Sequence, residues 1–157
     1  MGEFSHIDNN GKAKMVDISE KGTTRRRAVA VASVSMEPKT LKMIKNREME
    51  KGAVLETARI AAIMAVKRTH ELIPMCHQIL LTGIDVNFKF IDNTKLEITV
   101  IAKTTGKTGV EMEALNGVSI AALTVYDMCK AVDKKMVIGD IKLMEKTGGK
   151  SGKFIRE

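Results

Sequence analysis

The chain has 157 residues, of which 26 are basic and 19 acidic, for a net charge of +7. That length fits one domain, residues 1–157, burying roughly two-thirds of its unfolded surface without disulfide staples. With 44% apolar and 29% charged residues, 12 glycines and 2 prolines, the composition excludes a collagen, a low-complexity linker and a disordered chain.

The basic excess favours an anionic partner: nucleic acid, nucleotide or anionic membrane. Plain solubility is the competing explanation. The two cysteines, Cys76 and Cys129, are too few for a disulfide framework and suit a reducing, cytoplasmic setting. The longest runs without Asp, Glu, Lys or Arg are 72–84 and 114–126, thirteen residues each. A spanning helix needs about 20, so no membrane span is expected. Residues 1–20 lack the basic-then-apolar pattern of a signal peptide and are expected as a polar arm.

Residues 26–36 are rich in Val and short side chains and predict a strand with one buried face. Pro38 opens a short helix to about Ile44, because proline suits a first helical turn. A long helix is expected over 52–73. Its wheel gathers Leu55, Ala58, Ala62 and Val66 on one face, opposite Glu56, Arg59, Lys67, Arg68 and Glu71. Pro74 stops it, and Met75-Cys76-His77 follows as a loop. Strands over 79–91 and 95–104 flank the turn I-D-N-T-K, a hairpin. Leu96, Ile98, Val100 and Ala102 share one face, while Asp85, Asn87, Lys89 and Ile101 point to the other. A second long helix covers 110–132 and a last strand 136–144. The Gly-rich, basic segment 146–157 is expected as a mobile or ligand-ordered tail. This order is the split β-α-β pattern of an α+β, ferredoxin-like fold: an antiparallel sheet with helices packed on one face, its other face solvated or buried by another chain.

The loop 104–109 (T-T-G-K-T-G) leads into a helix start whose free N–H groups can hold a phosphate or carboxylate. Position 101 is Ile, so it is not a P-loop; an ordinary Gly turn is the plainer alternative. Glu111 and Glu113 follow. Either complements the helix dipole, and either could accept the N1–H and 2-amino edge of a guanine-like ring. Near the other end, Asp127 and Lys130 face the same way, as a surface ion pair or an acid–base pair. Glu113 and Asp127 are 14 residues apart, hence ~21 Å along one helix. If both act, a site shared between subunits is the simplest solution.

His77 beside Cys76 could bind metal, transfer protons or cap the helix. Without C-x-x-C or H-x-x-H spacing, no metal site is expected. His70 and His6 read as solvent residues. Basic groups at Arg25–Arg27, Lys51, Lys67–Arg68, Lys146, Lys150 and Lys153 could clamp a triphosphate or follow a nucleic-acid backbone. Phe88 and Phe90 alternate onto one face as stacking aromatics would, but no RNA-binding signature surrounds them. Core packing is their better reading, and no nucleic-acid partner is expected.

The residues now form a pattern. M-V-D-I-S (15–19), K-G-x-V-L-x-T-A-R-I-A (51–61), K-R-T-x-E-L-I-P-M-C-H (67–77) and T-G-K-T-G-V-E-M-E-A-L (105–115) are followed by A-A-L-T-V-Y-D-M-C-K-A-V (121–132), M-V-I-G (136–139) and K-T-G-G-K-S-G (146–152). In that order the chain closely resembles the molybdenum cofactor biosynthesis protein C family, the cyclic pyranopterin monophosphate synthases. The resemblance implies a lyase acting on 3′,8-cyclo-7,8-dihydroguanosine 5′-triphosphate, with cyclic pyranopterin monophosphate and diphosphate as products. It implies a ferredoxin-like subunit in a homohexamer, a trimer of dimers, with sites at subunit interfaces. No cofactor is implied as required; whether Mg²⁺ accompanies the triphosphate stays open.

By position, Asp127 matches the family's catalytic aspartate, Lys130 its partner lysine and Lys51 a further lysine at the reaction centre. Met75, Cys76, His77, Met112 and Glu113 match segments that hold substrate. Arg26 and Lys146 match basic residues near the phosphates, and Glu111 a supporting acid. One departure is Gln78, where family members commonly carry proline; it loosens the loop of His77 without removing a reactive group.

Overall fold

The computed structural model describes residues 7–157. The reading of His6 as a solvent residue, and the first six residues of the polar arm, lie outside them. The rest of the arm, to residue 20, is mostly exposed, and Lys107 Nζ donates to the Ser19 carbonyl at 2.6 Å.

The fold is α+β, built on one open antiparallel sheet. Its elements are β1 (Thr24–Ser35), α1 (Pro38–Asn46), α2 (Val54–Lys67), α3 (Thr69–Leu72), β2 (Leu81–Phe90), β3 (Lys95–Gly106), α4 (Glu111–Cys129), β4 (Val137–Thr147) and β5 (Phe154–Ile155). The sheet order is β2-β3-β1-β4-β5. Every neighbouring pair is antiparallel.

The strands follow the period of two. Ala28, Ala30, Ala32 and Val34 of β1, and Leu96, Ile98, Val100 and Ala102 of β3, are fully buried on one face. Small residues on β1 let α4 lie close to the sheet. At Gly117 of α4 an added Cβ would strike the side chains of Val66 and Val100, so helix, helix and sheet meet there without a side chain between them. Val54, Ala58, Ala62 and Val66 form the buried stripe of α2. On the open face Asp85, Asn87 and Lys89 are exposed, while Val29, Val31 and Ile101 are half-buried. Three ion pairs edge it: Arg27–Glu145, Lys95–Asp140 and Lys103–Asp85.

The hairpin forms where expected. Asp92 Oδ1 accepts the Thr94 N–H and hydroxyl and fixes the turn. Phe88 and Phe90 pack against the core. Arg59 lies over the Phe88 ring at 5.3 Å and Lys45 over Phe90 at 4.7 Å, so neither ring offers a free stacking platform.

Two expectations are corrected. The helix over 52–73 is not continuous: it breaks at Arg68, with φ −110° and ψ 14°. The Thr69 hydroxyl bonds back to the carbonyls of Ala65 and Val66, a local competition that loosens helical pairing, and a four-residue turn of helix follows. Nor is 146–157 a loose tail. Lys146 and Thr147 extend β4, and Phe154–Ile155 pair with Glu145–Lys146.

Candidate active site

Helix α4 has a functional cluster at each end. At its N-terminus, β3 passes through Gly106–Val110 into the helix. Arg26, on the neighbouring strand, donates from Nε to the Gly106 carbonyl at 3.0 Å and from its terminal nitrogen to the Lys107 carbonyl at 3.1 Å. The guanidinium therefore holds the loop it was expected to share with phosphates. Gly148 and Gly149 sit at φ +93° and +79° against the Arg25 carbonyl and the Arg26 guanidinium, where a Cβ would collide. Only glycine meets both conditions.

Lys146 crosses from β4 to pair with Glu111 at 3.0 Å, both about one-quarter exposed. Arg26 and Lys146 line a cavity of about 750 Å³ with Lys21, Lys107 and Lys150. With Arg27 that makes six cationic side chains beside the positive end of α4, against the three acids Asp17, Glu20 and Glu111. Of the loop 104–109, Lys107, Thr108 and Gly109 line this cavity.

A second cavity, about 530 Å³, adjoins the first and shares Lys21, Thr108, Gly109 and Glu111 with it. Met75, Cys76, His77, Met112 and Glu113 all line it. Pro74 ends α3, and the Met75-Cys76-His77 run crosses half-buried into the approach to β2. Burial, reinforced by the Glu113 charge, pushes the Cys76 thiol up. Gln78 is exposed and lines neither cavity. His70, expected in solvent, is half-buried in α3 and also lines neither.

Glu113 is 3% exposed. Burial raises its carboxyl from 4.5 to about 7; its own backbone amide opposes the rise and the charge of Glu111 adds to it. Because the folded pKa lies above the unfolded one, the folded state holds the extra proton between them. Stability is therefore expected to fall as pH rises from about 4.5 to about 7, by roughly 3 kcal/mol in all. Glu113→Gln, which cannot ionise, should flatten that slope. Melting midpoints of both proteins from pH 4.5 to 8 check it; equal slopes would overturn the assignment.

At the other end of α4, Lys51 Nζ donates to the Asp127 carbonyl at 3.0 Å and to Oδ2 at 3.1 Å. Asp127 Oδ1 lies 2.7 Å from Lys130 Nζ. The three side chains are about half exposed. The Lys130 hydrogen bond, then that of Lys51, holds the Asp127 carboxyl below its usual range, and Asp127 in turn raises the Lys130 amine. An isolated exposed pair contributes ~0–1 kcal/mol. A carboxylate shared by two amines that lie 79 residues apart in the chain is a different object: it fixes both amines about one anion.

Eight of the eleven residues singled out by sequence thus gather around the N-terminus of α4, and three at its far end. Lys51, Asp127 and Lys130 line neither cavity. The unbroken helix Glu111–Cys129 keeps Glu113 and Asp127 ~21 Å apart at 1.5 Å per residue. Lys21 was missed. It lines both cavities, but its only sequence signal is the K-G step at 21–22 behind the M-V-D-I-S block. Lys107 was missed as an individual residue because only its loop was read.

The chain is similar to known proteins over its whole length. The model of the MoaC family matches residues 15–149. A cyclic pyranopterin monophosphate synthase of Natranaerobius thermophilus is 61% identical, the match covering 99% of this chain and 98% of that protein. Proteins of the same name from Brevibacillus brevis and Desulfitobacterium hafniense are 58% and 56% identical, covering 98% and 99% of this chain and 96% and 95% of theirs. Matches of this extent, running through both ends of α4 and the loops around them, establish that the chain belongs to the MoaC family.

Proposed function

We propose that this protein is a cyclic pyranopterin monophosphate synthase, a lyase of molybdenum cofactor biosynthesis. It converts 3′,8-cyclo-7,8-dihydroguanosine 5′-triphosphate to cyclic pyranopterin monophosphate and diphosphate. The observation that carries the reading is the pair of adjoining cavities at the start of α4. One is lined with cations for a triphosphate; the other is walled by Met75, Cys76, His77, Met112 and a buried acid suited to a guanine-like edge. A nucleoside triphosphate is a polyanion joined to a flat heterocycle, and the two cavities meet at Glu111 as those two parts meet in the substrate.

In this reading Arg26 positions the phosphate loop, and Lys146, Lys150 and Lys21 offset charge on the departing diphosphate. Glu113 accepts donors of the pyrimidine ring. Lys51 and Lys130 exchange protons at nitrogen and oxygen while the imidazole-derived ring opens and the pyrano ring closes, with Asp127 holding both amines. A ribose-derived hydroxyl attacks the α-phosphorus, forming the cyclic phosphate ester and breaking the bond to diphosphate. The reading assigns no resident cofactor; any Mg²⁺ would enter with the triphosphate.

The two ends of α4 are too far apart to serve one substrate within a subunit, so the site joins the cavities of one copy to the Lys51–Asp127–Lys130 cluster of another. A homohexamer, a trimer of dimers, supplies such junctions. The subunit is read as one ferredoxin-like domain: β1 and β2 run parallel with β3 between them, as the split β-α-β unit requires. The half-buried Val29, Val31 and Ile101 leave the open sheet face suited to partial cover by another copy. Among the described residues no helix is long and apolar enough to cross a membrane; a cytoplasmic setting fits the two free cysteines.

Purified protein given the cyclic dihydro-GTP intermediate is expected to release diphosphate and yield the pterin product, read as its fluorescent oxidised form. Binding without product would sink the catalytic assignment. Neither binding nor product would sink the function.

A further inference from the structure

Asp133 lies three residues beyond Lys130 and is 4% exposed. A buried carboxylate needs partners, and this one has three. It accepts the Glu37 N–H at 2.9 Å and the Thr40 hydroxyl at 3.2 Å through Oδ2, and the Lys135 N–H at 3.0 Å through Oδ1. The Glu37 bond, against the opposing effect of burial, holds its carboxyl below the usual range. It is a fixed anion.

What it fixes is the start of α1. That helix has no local cap: its N-cap residue, Glu37, makes no side-chain capping bond. It is held from 96 residues further along the chain, where Asp133 accepts the N–H of the N-cap residue and the hydroxyl of Thr40. The connection that leaves α1 turns at Arg47, with φ 58°. Met49 is its only buried residue between Arg47 and Ala53. This connection carries Lys51 to Asp127. On the other side, the N–H groups of Val132 and Asp133 both bond to the Cys129 carbonyl and close the end of α4, just past Asp127 and Lys130. One carboxylate therefore ties the start of α1 to the turn after α4, and the connection that carries Lys51 leaves the other end of that helix.

We infer that Asp133 is a positioning residue for the Lys51–Asp127–Lys130 cluster, setting the reach of Lys51 by anchoring α1 to the turn after α4. The inference rests on the proposed catalytic role of that cluster. A merely structural role would lower stability and leave the turnover of folded enzyme unchanged.

The test is Asp133→Ala, assayed as the assembled enzyme well below its melting midpoint with the cyclic dihydro-GTP substrate. Turnover is expected to fall about tenfold or more, since small misplacements at a reacting centre are costly. KM should stay within about twofold, because the cavities lie at the other end of α4. Asp133→Asn keeps an acceptor for Glu37 and Thr40 and should recover at least about half of the lost rate. Unchanged kcat in Asp133→Ala, or kcat and KM deteriorating together, would overturn the inference. If Asp133→Ala does not fold, Thr40→Val decides: lower kcat at constant KM supports the anchor, and unchanged kcat overturns it. Lys51→Ala separates the two levels. If it turns over normally, the cluster itself is not catalytic. If it is inactive while Asp133→Ala is normal, only the role of Asp133 falls.

Discussion

Lys130→Ala is expected to lower kcat at least ~10²-fold, the usual contribution of a positioned acid–base group, with KM changed by less than about threefold. The split follows from geometry. Lys130 and its partner Asp127 line neither cavity, so removing the amine leaves both cavities intact. Asp127 raises the Lys130 amine through a 2.7 Å pair, which holds the ammonium in place at neutral pH, so that release of its proton needs that pairing to loosen when substrate binds. Lys51→Ala should behave alike, since both amines meet on one carboxylate. Asp127→Asn keeps the shape but removes the charge that gathers them; both amines should then lose their fixed positions. Steady-state kinetics on the three variants checks this. Near-normal kcat in both lysine variants would remove the cluster from the chemistry and leave it a surface ion network of small energetic weight.

Parts of this arrangement were legible in the sequence because they are local. Alternation exposes a strand face, so Leu96, Ile98, Val100 and Ala102 could be assigned inward before any fold was known. The spacing of Ala58, Ala62 and Val66 marks one side of a helix in the same way. The separation of Glu113 from Asp127 needed only the rise of a helix, and it already pointed to a site shared between subunits if both act. The remainder depends on contacts distant in sequence. Nothing near Arg26 says that its guanidinium binds the carbonyls of Gly106 and Lys107, 80 and 81 residues away. Lys21, just past the polar arm, drew no reading of its own, because only the fold brings it to both cavities. Asp133 carried no signal because its partners, Glu37 and Thr40 at the start of α1, lie 96 and 93 residues earlier. The break at Arg68 was hidden for another reason: Thr69 competes with its own helix through a hydroxyl, and hydrophobic periodicity does not register that.

Two inactive proteins mixed together should regain activity. Glu113→Ala removes a residue of the cavities at the start of α4, and Asp127→Ala dismantles the cluster at its end. Each variant alone carries the same lesion in every copy, so no junction between subunits has both halves intact, and each should fall at least ~10²-fold. Unfolded together and refolded as a mixture, they form mixed assemblies. A junction with the Asp127→Ala protein's cavities and the Glu113→Ala protein's cluster is then whole. With random pairing this holds at about one junction in four, so roughly a quarter of wild-type activity is expected, well above either parent. A site contained in one subunit could not recover, because each copy would still lack one essential residue. The ~21 Å between the ends of α4 leads to the first outcome. Failure to recover, in mixtures shown by native mass spectrometry to contain both chains, would mean that both ends of the helix must be intact within one subunit.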